Sequence, residues 1–398
     1  MRPRPPAPLL ARFWRPGLAL LLCAWAAAAA LRLWPSRASY AALDPAFTRG
    51  FQSLQASLSW PSWSACVLEL ASALDAWDAR GVARARRVLV LYHVGPVSRA
   101  DPLAPVFAEN LRLFFASLRA APGAAEGIAP PFVLANIVGG RGNALWDALQ
   151  EQLAALAQGG SGAGSCAVEH AAAESDLLTH LQTLALLGPA VAARLGAVAA
   201  LNQGVRGPLP TGARSGLDWL SAYAALLHSQ PELALVGPLL SCQMAPHVQT
   251  HMFVLKADKL GTVLEHGLQR PGGAPPTGQG GRRLAGDWLA GTIVHLEVGL
   301  TDSLLDEGLG VASMHDHLAL GRSAFAPTHC PHPHFGQQNP SKSCQLDVHK
   351  LGFVKFGGEL MRQELLCPEV VAQVQALGRA GGGAPAPAPA QERARKIA

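Results

Sequence analysis

The chain has 398 residues, 49% of them hydrophobic and only 15% charged. That apolar content supports a large core and excludes global disorder, and the length allows one large domain or two smaller ones. The formal net charge of +5 sits at the ends: residues 1–40 carry six arginines and no acid, residues 379–398 are basic, and the long stretch between them is net acidic. A nucleic-acid-binding face belongs on the folded part of a protein, so the partner is expected not to be a nucleic acid.

Arg2, Arg4, Arg12 and Arg15 precede an unbroken apolar run from Gly17 to Leu31, closed by Arg32 and bracketed by Trp14 and Trp34. The run is shorter than the usual span of about 20 residues. Its basic flank places the N-terminal side in the cytosol. Three readings compete. A type II signal anchor is favoured, because no small-x-small cleavage site is followed by a polar mature start. A cleaved signal peptide, cut within Ala26 to Ala30, comes second. An organelle transit peptide comes third, since the segment is apolar and poor in serine. The expected organisation is a cytosolic tail and anchor over 1–34, a stem over 35–64, a folded domain over 65–378 and a disordered Gly/Ala/Pro-rich tail over 379–398.

Seven cysteines occur, and Cys23 lies in the apolar run. The other six, Cys66, Cys166, Cys242, Cys330, Cys344 and Cys367, allow three disulfides, or remain reduced thiols. No Asn-x-Ser/Thr acceptor is present, because Pro340 follows Asn339.

Residues 65–79 carry an amphipathic helix pattern. Arg87 to Val94 is a continuous apolar run with β-branched residues, as in a strand buried on both faces. A helix pattern at Leu103 to Ala120, a strand at Phe132 to Val138 and a helix at Ala144 to Leu156 follow. After the Gly159 to Ser165 loop come a short strand at Ala167 to His170, a helix from about Asp176 and a strand at Ala197 to Leu201. Leu233 to Leu239 and Thr250 to Leu255 are further strands. Alternating strands and helices predict an α/β fold with a mostly parallel sheet. Ligands in such sheets bind beyond the carboxyl ends of the strands, which directs attention to the polar clusters that follow them.

Five clusters stand out. Leu201 to Pro210 ends a strand in Asn202 and Gln203; Gly204 and Gly207 permit close backbone approach, and Arg206 offers a planar fork for phosphate or carboxylate. Spacing alone favours a structural turn there. His247, Gln249 and Thr250 lead into an apolar strand, where they meet a sugar hydroxyl or phosphate, or simply start the strand. Glu297 sits alone in the apolar stretch Ile293 to Thr301, as an ion-paired residue or a tuned base. Asp302, Asp306 and Glu307 behind it read as a solvated face. His329 to His334 alternates Cys and His with Pro, and is expected to be a disulfide-bearing loop rather than a metal site. Glu174 and Asp176 form an acid-x-acid pair able to hold a divalent cation.

Taken in order, these segments resemble the glycosyltransferases related to the rhamnan-synthesis proteins of bacterial polysaccharide pathways, which have single-span relatives in algae and fungi. The resemblance rests on Asn110 with Phe114 and Phe115, Asn202 to Pro210, Leu235-Val236-Gly237 with Cys242, His247 to Thr250 with Asp258, Glu297 with Gly299-Leu300-Thr301, and Asp347 with Phe353 and Lys355. It covers about residues 87–356. It implies a GT-A-like α/β/α sandwich containing a Rossmann-like half, preceded by one membrane helix. It also implies transfer of a sugar, hexosyl or deoxyhexosyl, from a nucleotide-sugar donor to a glycan or glycoprotein acceptor, with Mn²⁺ or Mg²⁺ as the expected metal. Asn202-Gln203 stands where relatives often show an Asn-Asp pair, and Asp176 lacks the flanking aromatic and glycine of the family element. Arg206, with Lys355 second, is expected to neutralise the departing diphosphate. Glu297 or His247 would act as general base, Asp176 would hold the nucleoside, and Asn202, Gln203, Gly204, Gly207 and Gln249 would line the donor. The expected address is the Golgi or ER membrane, with the catalytic domain lumenal. The alternative is a non-catalytic, carbohydrate-binding or scaffold relative of the same fold.

Overall fold

The computed structural model describes residues 57–119, 128–158, 164–172, 175–209, 218–241, 247–269, 297–315, 353–357 and 368–380. The apolar run Gly17 to Leu31, Glu174, Cys242, the His329 to His334 segment and Asp347 lie outside them. No helix among the described residues is long and apolar enough to cross a membrane.

The chain opens with helix α1 (Trp60–Ala79). Pro61 lies at its first turn, where no N–H is needed. Trp63, Cys66, Leu70, Leu74 and Trp77 recur at helical spacing and are all buried. The helix thus begins inside the segment read as stem, and Leu58 just before it bridges His170. Strand β1 (Val88–Val94) follows, buried along its whole length. Then come α2 (Ala104–Arg119), β2 (Phe132–Val138), α3 (Trp146–Gln158) and β3 (Ser165–His170). Helix α4 (Asp176–Ala192) is capped by Ser175, whose hydroxyl accepts the Leu178 N–H at 3.1 Å. Gly188 breaks it with a φ of 75°, a conformation that favours glycine, and Pro189 restarts it.

Strand β4 (Ala197–Asn202), the two-residue β5 (Val205–Arg206), α5 (Asp218–Ser229) and β6 (Leu233–Gly237) come next. A small hairpin, β7 (Leu240–Ser241) with β8 (His247–Val248), precedes β9 (Met252–Lys256), α6 (Leu260–Gln269), α7 (Gly299–Asp306) and β10 (Gly310–Ser313). Strand β11 (Val354–Lys355) pairs with β5, and α8 (Pro368–Ala380) is the last described element.

The seven-stranded sheet has the order β10-β6-β9-β4-β1-β2-β3. Only β9 runs antiparallel to its neighbours. The expected α/β class and mostly parallel sheet are therefore present. Side chains alternate across each strand. Val88, Val90, Tyr92 and Val94 face a core built with α2, α3 and α5. Leu89 and Leu91 face a second core built with α1, α4, α6 and α7. Burying a large apolar side chain contributes about 1.5–3 kcal/mol, so two such faces explain why the sheet strands read as unbroken apolar runs.

One disulfide lies among the described residues. Cys66 of α1 joins Cys166 of β3 and fastens the helix to the edge strand. Its surroundings are the second core, where Cys66 is fully buried.

Candidate functional site

The strand order reverses between β1 and β4: β2 and β3 extend the sheet to one side of β1, and β4 begins the other side. Loops leaving two such strands diverge, which opens a crevice at their carboxyl ends. Gly95 follows β1 at this point, and Asn202-Gln203-Gly204 follow β4. The Gln203 side-chain carbonyl accepts the Gly95 N–H at 3.0 Å, and the Gln203 N–H donates to the His93 carbonyl at 3.0 Å. The Asn202 side-chain oxygen accepts the Gly204 N–H at 2.8 Å. The two strand ends are thereby tied into one rim.

Asp176 enters from the other layer, at the start of α4. The Asn202 amide donates to its carboxylate. Burial opposes its charge. The His93 and His180 imidazoles, the Asn202 hydrogen bond and the Lys355 ammonium outweigh that penalty and hold the carboxyl below the usual carboxylate range. Lys355 arrives on β11, which pairs Lys355 with Val205 and Val354 with Arg206. Asp176, Asn202, Gln203, Gly204 and Lys355 are thus brought together around the end of β4.

Beneath them lies a layer that sequence reasoning missed. His93 on β1 is in register with Asn136 on β2 and with Asn202 on β4. His170 on β3 meets Asn136 across the strands, ring nitrogen to amide oxygen at 2.9 Å. His251 lies one residue before Met252, the register partner of Leu201. His180 and Thr183 of α4 cover the layer; Thr183 approaches the Asn136 amide oxygen at 3.4 Å, and the His93 and His180 rings meet edge-on at 5.9 Å. Burial drives the imidazole pKa values down, to about 4 for His93, His170 and His180 and to about 3 for His251. Asp176 favours the cations of His93, His180 and His251, and Lys355 disfavours that of His251. At neutral pH these rings are uncharged. The available signals were one polar residue inside the apolar strand VLVLYHV, and His180 one helical turn after Asp176.

Arg206 goes elsewhere. Its Nε donates to the Asn110 side chain of α2 at 2.8 Å, and its guanidinium carbon lies 4.4 Å from the centroid of the Phe356 ring. It is 6% exposed. Burial pulls its pKa down to about 10, with Glu109 favouring and Arg112 opposing the charge. Asn110 also donates to the carbonyls of Gln203 and Phe356, at 2.9 and 2.8 Å. The motif residues Asn110 and Arg206 therefore brace the Gln203-Gly204 turn from below. Lys355, ranked second from the sequence, is the cation that faces Asp176. Gly207 continues this turn into Pro208.

His247 and Glu297 belong to the neighbouring hairpin. His247 pairs with Ser241 across β7 and β8 and is buried. Glu297 accepts the Thr250 N–H at 2.9 Å, and Thr301 accepts the Val248 N–H at 3.0 Å. Gln249 is buried between them, and its N–H donates to the Leu239 carbonyl at 3.1 Å. Glu297 thus holds the backbone one residue ahead of His251, at the edge of the crevice.

A cleft of about 420 Å³ adjoins the rim, between the loops after β1 and β2. Pro96, Val97 and Val138 give it an apolar floor, and Ser98, Asp101 and Asn143 supply polar groups. It is shallow and open to solvent.

The family resemblance implies a divalent metal. Asp176 is the carboxylate at the end of β4, and one of its oxygens is taken by the Asn202 amide. No group of three or more His, Cys, Asp or Glu side chains among the described residues is arranged to hold a metal ion. These residues do not fit a resident metal.

No protein-family profile matches the chain, and no curated protein sequence matches it.

Proposed function

We propose that the protein is a glycosyltransferase of GT-A type, which moves a sugar from a nucleotide-sugar donor to a glycan or glycoprotein acceptor. The observation that carries the reading is the meeting of Asp176, Asn202, Gln203, Gly204 and Lys355 at the point where strand order reverses. The order β3-β2-β1-β4 supports a Rossmann-like half, whose crevice receives nucleotides. The adjoining cleft offers room for a nucleoside.

Transfer breaks the bond between the sugar's anomeric carbon and the diphosphate, and forms one to the acceptor oxygen. The diphosphate leaves with the electron pair, and the acceptor hydroxyl loses its proton. Lys355 neutralises the leaving group, with the Gly204 turn allowing close approach. Asp176 accepts hydrogen bonds from the ribose. The acceptor's proton goes to a base on the hairpin side, where Glu297 and His247 lie. The Cys66–Cys166 disulfide accords with an oxidising compartment and so with a lumenal domain carried by an N-terminal anchor.

One observation favours a second reading. Gln203 is an amide where a carboxylate is common in the family that the chain resembles, and its side-chain oxygen is engaged by the Gly95 N–H. A carbohydrate-binding relative without catalysis has no use for a charge there. The test is release of nucleoside diphosphate by the full chain in detergent, offered a panel of nucleotide sugars with Mn²⁺. Release that Lys355→Met abolishes supports transfer; sugar binding without release, across the panel, supports the second reading.

A further inference from the structure

A divalent ion needs oxygen ligands, and the turn after β4 directs its amide oxygens to the backbone. The Gln203 side-chain oxygen accepts the Gly95 N–H at 3.0 Å, and the Asn202 side-chain oxygen accepts the Gly204 N–H at 2.8 Å. A backbone N–H is met by the oxygen of a carboxamide and not by its nitrogen, so each bond fixes which way its amide faces. The Asn202 NH₂ in turn donates to the Asp176 carboxylate and engages one of its oxygens.

What the turn offers instead is donors. With the Gln203 oxygen fixed, its NH₂ lies on the other side of the amide, and no described residue accepts a hydrogen bond from it. That nitrogen stands beside the bare α-carbon of Gly95: a β-carbon built there would sit 3.0 Å from it. Glycine at this position leaves the NH₂ open to a ligand. The cation at the same turn is Lys355. It pairs with Val205 across β5 and β11, and the N–H of its neighbour Phe356 donates to the Gly204 carbonyl at 2.7 Å. Lys355 is half-buried and makes no salt bridge among the described residues. A donor amide and an ammonium on one turn suit an anion rather than a cation.

Resting on the donor-site reading above, we propose that the Gln203 NH₂ and the Lys355 ammonium bind the donor's diphosphate directly, without a bridging divalent ion. In a metal-bridged site a carboxylate at position 203 would hold the ion, and the ion would hold the phosphates. A bare diphosphate would be repelled by that carboxylate. The carboxamide removes the repulsion and adds a hydrogen bond to a phosphate oxygen, while Lys355 supplies the opposite charge.

The test reads binding by calorimetry, on the full chain in detergent. UDP, GDP and inorganic pyrophosphate are titrated first in EDTA and then in Mn²⁺ without EDTA. Binding in EDTA is expected. Gln203→Glu keeps an oxygen for the Gly95 N–H and turns a second carboxylate oxygen to the ligand in place of the NH₂. It should weaken binding in EDTA about tenfold or more, and Mn²⁺ should restore part of the loss. Lys355→Met should weaken binding in EDTA by a similar factor. Folding of each variant is followed by circular dichroism, and the two are read separately, so that one still reports if the other fails to fold. Binding that needs Mn²⁺, or that Gln203→Glu leaves unchanged in EDTA, overturns the proposal and leaves the donor site standing. Pyrophosphate binding with no preference for a nucleotide keeps the direct contact and removes the donor reading; no binding in either condition overturns both.

Discussion

Breaking the Cys66–Cys166 bridge should weaken the fold by an amount that the chain length sets. The two cysteines are 100 residues apart, and the loop they close holds β1, β2, α2 and α3. Releasing a loop of that size returns about 4.7 kcal/mol of chain entropy to the unfolded state. Domains are stable by only about 5–15 kcal/mol, so this is a large share. The native contacts change little, because Trp63, Leu70, Leu74 and Trp77 still pack α1 against the second core. The assay is urea unfolding of the oxidised protein and of the Cys66→Ala/Cys166→Ala double variant. With a slope of about 3 kcal/mol per molar urea, the midpoint should fall by about 1.5 M. Equal midpoints would refute the reasoning, and so would thiol labelling of both cysteines in the unreduced, unfolded protein.

Arg206→Met should leave the Asn110 oxygen unpaired and cost about 1–3 kcal/mol of stability, read as a lower thermal midpoint, while donor turnover survives. Lys355→Met should do the opposite; equal loss of turnover in both would return Arg206 to the donor site. Four of the buried histidines are held below their ordinary value of 6.5, His93, His170 and His180 at about 4 and His251 at about 3. The unfolded chain therefore binds more protons between pH 6.5 and 4, so their stability contribution is complete above pH 6.5 and is lost as pH falls through that window. Each contributes a slope of about 1.4 kcal/mol per pH unit, and proton uptake on unfolding near pH 5 should approach four; uptake below one would refute burial of the layer. Asp176, held low, stabilises above the usual carboxylate range and loses that contribution only at lower pH. Asp176→Asn should accordingly flatten the acid end of the stability curve. Gly237→Ala should displace the hairpin, because its new methyl would lie 2.3 Å from the Val248 side chain; an unchanged thermal midpoint would show that β8 yields freely.

The local elements were legible because their physics is local. Seven consecutive buried residues in β1 and the 3.6-residue spacing of Phe107, Leu111, Phe114 and Leu118 in α2 state their partners through periodicity. The strand ends at which polar residues gather were legible too, since the rule about strand carboxyl ends needs only the alternation of elements. Asn202, Gln203, Gly204 and Asp176 were singled out on that basis and Lys355 on the family resemblance, and they meet around the end of β4.

What the tertiary structure alone decided was direction and register. Nothing in Met252 to Lys256 says that β9 runs antiparallel, yet that reversal brings His251 to the end of β4. Nothing in His93 or His180 reveals its neighbour, because a histidine in an apolar run reads the same in a packed core as beside a carboxylate. Arg206 shows the converse: its motif is conspicuous along the chain, but a two-residue pairing with β11 turns it toward Asn110 and gives the crevice to Lys355. A strand's own residues fix its alternation; which strand lies beside it, at what register and in which direction, depends on contacts between residues far apart in the chain, and those decide where charge and imidazole meet.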